Sequence, residues 1–197
     1  MTEIAESFWH LPWRWADATW RQRYCANPTP KMPHASLLYR GWGEVFDLLP
    51  GPPEAVEPFW RSVLSASPVC LRRAAELMGW MMALSDHRRP ATVENDPACR
   101  QALHYIQTRP LPVALQVSHH ALDRSQLGVC GLYEWSQQTF PAASKRLAMM
   151  LPPRQADALA APIGVANIGS TVWQRFWLAA LRWSEREGGD DAVICSA

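Results

Sequence analysis

The chain has 197 residues, a formal net charge of +1 and a hydrophobic fraction of 48%. That fraction excludes an intrinsically disordered protein, because a chain of this length and composition can bury a substantial core. The balanced charge provides no surplus of the kind that directs a protein to nucleic acid or to an anionic membrane. The sequence predicts one folded domain over residues 1–189, followed by a mobile tail over residues 190–197.

Several features of the sequence bear on its cellular location. No run of about 18 consecutive apolar residues is present, which is the length that a membrane-spanning helix requires. The N-terminus carries Glu3 and Glu6 and has no apolar segment of the kind found in secretory signals. The odd number and wide spacing of the cysteines favour free thiols over a disulfide framework; they are Cys25, Cys70, Cys99, Cys130 and Cys195. We expect a soluble, cytoplasmic protein with no membrane insertion.

Helix signals repeat along the chain in one form. A polar or small residue precedes a proline at the first helical position, and apolar residues with a period of 3.6 follow. Ser67-Pro68 and Asp96-Pro97 are the clearest examples. In chain order, the predicted helices cover residues 12–24, 58–64, 68–86, 97–109, 123–138, 141–151, 154–161 and 170–187. These segments predict a predominantly all-α fold.

Two pairs of glycines bear on how these helices pack and end. Gly128 and Gly131 lie three residues apart within one predicted helix. Because glycine costs about 1 kcal/mol in a helix interior, the pair indicates either a close helix–helix approach or a break. Gly188 and Gly189 are predicted to end the last helix, which is apolar on nearly all sides and is therefore either central or half-buried by a partner.

The segment 27–57 contains six prolines and is predicted to be mostly loop. The one candidate helix within it runs from Ala35 to Leu49. Strand signals are thin along the whole chain, and the two candidates are Val113–Val117 and Ala192–Ile194.

Signatures of chemistry are weak throughout the sequence. It contains no HExxH, CxxC, Walker A or GxSxG motif. His119 and His120 are adjacent, and on a helix they would point about 100° apart, which seldom suits one metal ion. We therefore expect no enzyme, no metal and no cofactor. The alternative is a small helical enzyme or enzyme subunit that uses Cys130 or a histidine, since a Cys–His pair need only meet in space.

Tryptophan and arginine alternate near the N-terminus, in Trp13-Arg14-Trp15 and again from Trp20 to Tyr24. Aromatic rings beside cations hold single-stranded nucleic acid, so a helical nucleic-acid-binding module is a second alternative. The small net charge favours an amphipathic helix with indoles in the core instead. We expect no nucleic-acid partner.

Two stretches of the chain follow the pattern of a known protein family. Leu127–Trp135 is a small-residue helix ending in tryptophan, and Lys145-Arg146 then opens a Leu-rich stretch that closes on Leu151-Pro152. An earlier stretch, Ala75–Leu84, is followed by another basic pair, the arginines at positions 88 and 89. These patterns, spread over residues 60–153, resemble the SctK family of sorting-platform accessory proteins in bacterial type III secretion systems.

The resemblance implies a non-catalytic, all-helical adaptor at the cytoplasmic face of the inner membrane. The implied partners are the SctQ pod protein and the cytoplasmic domain of the SctD inner-membrane ring protein, with the SctL stator and the ATPase as indirect partners. Because Trp and Arg are enriched at interface hot spots, exposed indoles are expected to carry the binding. Trp9, Trp13 and Trp42 are the predicted contacts, since their N-terminal or loop settings favour exposure.

Overall fold

The computed structural model describes residues 8–25, 41–44, 46–48, 51, 55–85, 96–109, 122–157, 159 and 170–194. Its main helices are α1 (Pro12–Trp15), α2 (Ala18–Cys25), α3 (Pro58–Ser65), α4 (Pro68–Ser85), α5 (Pro97–Thr108), α6 (Arg124–Thr139), α7 (Pro141–Ala148), α8 (Pro153–Asp157) and α9 (Ser170–Ile194). Short helical stretches also cover residues 8–10 and 41–44. No strand occurs in the described residues, which confirms the predicted all-α class.

Proline begins most of these helices, as the sequence predicts. It stands at the first position of α1, α3, α4, α5, α7 and α8. A proline fits there because its missing N–H would have no intrahelical partner, and its fixed φ suits the helix. Asp96 caps α5 by accepting from the backbone N–H of Ala98 at 2.8 Å. At α6, Asp123 and Gln126 form a capping box with bonds of 2.8 and 3.1 Å.

The long helix α4 is the centre of the fold. It packs against α5, α6 and α9, and its contact with α6 is the most extensive of the three. Helix α7 packs on α6, and α9 also touches α3. The buried residues of α4 leave little of its surface to solvent; they are Cys70, Leu71, Ala74, Ala75, Leu77, Met78, Gly79, Met81, Met82, Ala83 and Leu84.

The backbones of α4 and α6 touch where the two helices cross. A Cβ atom on Gly128 would lie 1.9 Å from the carbonyl oxygen of Ala75, and one on Gly79 would lie 1.8 Å from that of Arg124. Only glycine fits such an approach, so the close contact predicted from Gly128 is confirmed. Gly131 is less tightly enclosed, because its Cβ would lie 3.1 Å from the Trp173 ring and 3.2 Å from the Met82 methyl group.

The predicted continuous N-terminal helix is wrong at one point. Ala16 is extended, with ψ of 151°, and separates α1 from α2. The side chain of Asp17 then accepts from the backbone N–H of Thr19 at 2.9 Å and caps α2. An aspartate in this position is a recognised helix start, and it is the sequence signal for the break.

Helix α9 extends beyond its predicted end. It continues through Gly188 and Gly189 to Ile194, so the glycines do not end it and residues 192–194 are helical rather than extended. Glycine weakens a helix interior by about 1 kcal/mol but keeps its backbone N–H, which leaves the hydrogen-bond ladder possible. Residues 190–194, predicted as part of a mobile tail, belong to this helix.

Some predicted features lie outside the described residues. These are the arginines at positions 88 and 89, Val113–Val117, His119, His120, Cys195 and the remainder of the predicted tail. Of the loop-rich segment 27–57, the helical residues 41–44 fall within the candidate helix from Ala35 to Leu49.

Candidate interaction surface

Two of the three predicted partner-binding tryptophans are buried. Trp9 is 0% exposed and Trp42 is 3% exposed, so the exposure predicted for them is wrong. Trp9 belongs to the helical residues 8–10 and packs edge-to-face on Phe140, with ring centroids 6.1 Å apart. Trp42 lies in the helical stretch 41–44 and packs in one cluster with Met149. Trp13 is partly exposed, in line with the exposure predicted for it.

Arg146 of α7 holds the N-terminal segment against the body. Its side chain is 2% exposed, and its Nη2 donates to the carbonyl oxygen of Trp9 at 3.0 Å. The guanidinium also lies 4.6 Å from the centroid of the Trp9 ring, within the range of a cation–π contact. Arg146 is therefore the buried member of the Lys145-Arg146 pair, and it attaches the N-terminal segment to α7.

Two further hydrogen bonds continue this attachment. The backbone N–H of Asp17 donates to the carbonyl oxygen of Met149 at 2.8 Å. The indole N–H of Trp20 donates to the carbonyl oxygen of Leu151 at 2.7 Å. Residues 145–152, which carry part of the family resemblance, thus contain the groups that bind the Trp-rich N-terminus to the rest of the fold.

Lys145, the first residue of the basic pair, points outward instead. Its ammonium group pairs with the Asp47 carboxylate and donates to the Asp47 carbonyl oxygen at 3.1 Å. Asp47 has a φ of 49°, in the left-handed region, so the chain turns sharply there. The hydrogen bond and the charge of Lys145 lower the pKa of Asp47. Because both groups are exposed, the pair adds little stability.

A small aromatic cluster, separate from the main core, joins the N-terminal segment to residues 41–48. This satellite cluster consists of the buried residues Ala16, Trp20, Trp42 and Met149 with the partly buried Trp13, Phe46, Leu48 and Ala156. Phe46 packs edge-to-face on Trp20 and tilted on Trp42, at 5.0 and 5.3 Å between centroids. We call three of its partly exposed members, Trp13, Phe46 and Leu48, the aromatic edge, and this edge is the candidate interaction surface.

The Glu76 carboxylate of α4 is influenced by two other carboxylates, those of Asp96 and Asp123, which local sequence signals do not reveal. Asp96 and Asp123 are the caps of α5 and α6, and both act electrostatically on Glu76 of α4. Asp96 also accepts from the indole N–H of Trp80 at 2.8 Å, and the guanidinium of Arg124 lies 4.7 Å from that ring. Burial, followed by the charges of the two aspartates, raises the pKa of Glu76.

Glu76→Gln is expected to raise the melting temperature at pH 7. A raised pKa means that the folded state holds the Glu76 proton more tightly than the unfolded state does. Stability therefore falls as the pH rises from below 4.5, the ordinary pKa of this group, through the folded-state value. The gain of Glu76→Gln should shrink as the pH approaches 4, where wild-type Glu76 is protonated. Thermal unfolding between pH 4 and 8 measures this, with the exposed Glu57→Gln as control; equal effects of the two substitutions would contradict it.

Three of the cysteines are poorly suited to act as nucleophiles. Cys70, Cys99 and Cys130 are free and buried. Burial is the main cause that raises the pKa of all three, to about 12 for Cys130, where the charge of Asp123 adds to it. A thiol with so high a pKa stays protonated at neutral pH, and only the thiolate attacks. This counts against the alternative of an enzyme that uses Cys130.

Two of the three indoles in the Trp–Arg alternation, Trp15 and Trp20, are not placed to stack nucleobases. Trp15 is 1% exposed, and Trp20 is 8% exposed and donates its N–H to a backbone carbonyl. Stacking requires an open ring face beside the cations. Of these three indoles only Trp13 is partly exposed, so the segment is amphipathic with most of its indoles in the core, which counts against the nucleic-acid alternative.

Comparisons with known proteins give no assignment: no family model, no curated protein and no solved structure matches the chain. Within the described ranges, no group of three or more His, Cys, Asp or Glu side chains could hold a metal ion. Among the described helices, none combines the length and the apolar character needed to cross a bilayer.

Proposed function

We propose that this protein is a non-catalytic cytoplasmic adaptor of a type III secretion sorting platform, which links the cytoplasmic domain of the SctD ring protein to the SctQ pods. The SctL stator and the ATPase are its indirect neighbours in this assembly. The proposal rests on the resemblance of residues 60–153 to the SctK family.

One observation carries the proposal beyond sequence pattern. The stretches that bear the resemblance, Ala75–Leu84, Leu127–Trp135 and residues 145–152, lie in or directly after α4, α6 and α7. Helix α6 packs on both α4 and α7, so these stretches form one continuous unit at the centre of the fold. The residues that carry the resemblance therefore lie in helices that contact one another.

The aromatic edge is the surface that we assign to partner binding. The Trp13 ring packs against the buried Trp42 ring, with centroids 6.5 Å apart. The Trp13 side chain remains partly exposed to solvent. A large, rigid ring on a fixed support loses little entropy on binding, which is why tryptophan is enriched at hot spots. Trp42 supports this surface from the interior, whereas Trp9 is buried in the main core and is not part of it.

Binding of purified protein to purified SctQ and to the SctD cytoplasmic domain tests the proposal. We expect the wild-type chain to bind at least one of them. Trp13→Ala should weaken that binding by about 2 kcal/mol, or roughly thirtyfold in Kd, if Trp13 is a central contact. Arg21→Ala, an exposed substitution on the same segment, is the matched control and should bind as wild type does.

Melting curves of each variant separate lost contact from lost folding. The proposed surface is supported if Trp13→Ala melts close to wild type and binds more weakly. If it binds as tightly as Arg21→Ala does, the aromatic edge is not the contact. If folded wild-type protein binds neither SctQ nor SctD, the adaptor function is wrong and the enzyme alternative is reopened.

A further inference from the structure

Helix α1, which carries Trp13, is too short to hold its own shape. It spans Pro12–Trp15, and the backbone N–H of Ala16 donates to the Pro12 carbonyl oxygen at 3.1 Å. Isolated helices shorter than about 12 residues are marginal in water, because the first turn fixes several dihedral angles for one hydrogen bond. The direction in which Trp13 projects therefore depends on what holds the two ends of α1.

The two ends of α1 are held by arginines from two different helices. Before α1, Arg146 of α7 donates to the Trp9 carbonyl oxygen. After it, Nη2 of Arg72 on α4 donates to the carbonyl oxygen of Ala16 at 3.2 Å and to that of Trp15 at 3.4 Å. The last carbonyl groups of a helix have no intrahelical donor, and an arginine side chain satisfies them well. Arg72 therefore caps α1 from the central helix of the fold.

The backbone at Arg72 is itself fixed by the packing of α4 on α6. Its neighbour Leu71 is fully buried, and the Ser125 hydroxyl of α6 donates to the Arg72 carbonyl oxygen at 3.3 Å. The Arg72 side chain is partly buried. A charged donor forms a stronger hydrogen bond than a neutral one, and partial burial limits the competition from water. The end of α1 is thus tied to a rigid part of the molecule.

We infer that Arg72 is a positioning residue for the aromatic edge: it fixes the direction of Trp13 through the backbone of Trp15 and Ala16. The inference rests on the proposed function, which assigns partner binding to the aromatic edge. Ala16 and Trp13 belong to the same satellite cluster, so a displacement of the Ala16 backbone would disturb the packing of Trp13 on Trp42. A ring that is already held in its binding direction loses less entropy when a partner binds.

The test follows the Trp13 ring by fluorine NMR in the full chain labelled with fluorotryptophan. The resonance of Trp13 is the one that Trp13→Phe removes from the spectrum. Arg72→Met keeps the apolar stem and removes the donors, whereas Arg72→Lys keeps a cationic donor. Arg61→Met is the matched control, because it removes a similar hydrogen bond at α3, from Arg61 Nη2 to the Val56 carbonyl oxygen at 3.4 Å.

We expect Arg72→Met to shift or broaden the Trp13 resonance and to leave that of Trp173, which lies in the main core, in place. Its binding to the partner that wild type binds, SctQ or the SctD cytoplasmic domain, should weaken by about tenfold, with little change in melting temperature. Arg72→Lys and Arg61→Met should keep the wild-type Trp13 resonance and bind within about threefold of wild type, because each retains a cationic donor at position 72.

Two results would overturn the positioning role. One is a Trp13 resonance, or a partner affinity, that Arg72→Met leaves unchanged while Trp13→Ala weakens binding. The other is a melting temperature of Arg72→Met as low as that of Gly128→Ala, which would make Arg72 a residue of general stability. If wild type binds neither SctQ nor SctD, the adaptor function fails, and the Trp13 resonance still decides whether Arg72 orients this ring.

Discussion

Gly128→Ala is expected to destabilise the protein by about 3 kcal/mol or more, a large fraction of the stability of a domain this size. The added Cβ would lie 1.9 Å from the backbone carbonyl oxygen of Ala75, at the crossing of α4 and α6. Backbone cannot move aside as the end of a side chain can, so the two helices must separate. Because α4 is the centre of the core, that separation disturbs its other contacts as well. Urea unfolding followed by circular dichroism at 222 nm measures the loss.

Gly131→Ala is the matched control on the same helix. Its Cβ would meet the Met82 methyl group at 3.2 Å and the tip of the Trp173 ring at 3.1 Å, and a methionine end can shift. Alanine also gains about 1 kcal/mol of helix propensity over glycine. We expect this variant to remain within about 1 kcal/mol of wild type. Equal losses at positions 128 and 131 would show that backbone contact does not govern the crossing.

Arg146→Ala is expected to cost about 2–4 kcal/mol, because it leaves a buried cavity and removes the donor to the Trp9 carbonyl oxygen. The attachment of the N-terminal segment should weaken with it. Hydrogen exchange at the amides of Asp17 and Trp20 would then be faster in the variant than in wild type. Arg146→Met retains most of the buried volume. The loss of unfolding free energy that both variants show therefore reports the lost hydrogen bond and charge.

Lys145→Ala is the control for this effect, one residue away in the same pair. Lys145 is exposed and its partner Asp47 is exposed, so its removal should leave the free energy of unfolding almost unchanged. A loss of unfolding free energy as large as that of Arg146→Ala would contradict the conclusion that Arg146 attaches the N-terminal segment. The comparison separates two adjacent cations that are equivalent in the sequence.

Local signals in the sequence predicted the helices well. A proline after a polar or small residue marks a start at Pro58, Pro68 and Pro97, and the structure begins helices at each of them. These signals work because they depend on a few neighbouring residues and on the unpaired N–H groups of the first turn. The end of α9 was predicted wrongly because glycine weakens a helix without always ending it. Whether a helix ends at a glycine depends on more than local propensity.

The surface could not be predicted in the same way. Trp9 and Trp13 look equivalent in sequence, but Trp9 is buried beneath a guanidinium from a residue 137 positions away. The electrostatic effect of Asp96 and Asp123 on Glu76 likewise depends on how α5 and α6 pack against α4. The burial of a side chain depends on tertiary contacts. Neither the composition nor the periodicity of the sequence specifies those contacts.

The central claim, that this protein is an adaptor within the sorting platform, is tested most directly by affinity purification from the cell that encodes it. The tagged chain is expressed at its native level, and the captured proteins are quantified by mass spectrometry against Gly128→Ala as a misfolding control. The account predicts that SctQ and SctD are enriched with the wild-type chain, with SctL and the ATPase at lower levels. Recovery of folded wild-type chain with none of these four proteins enriched would contradict it.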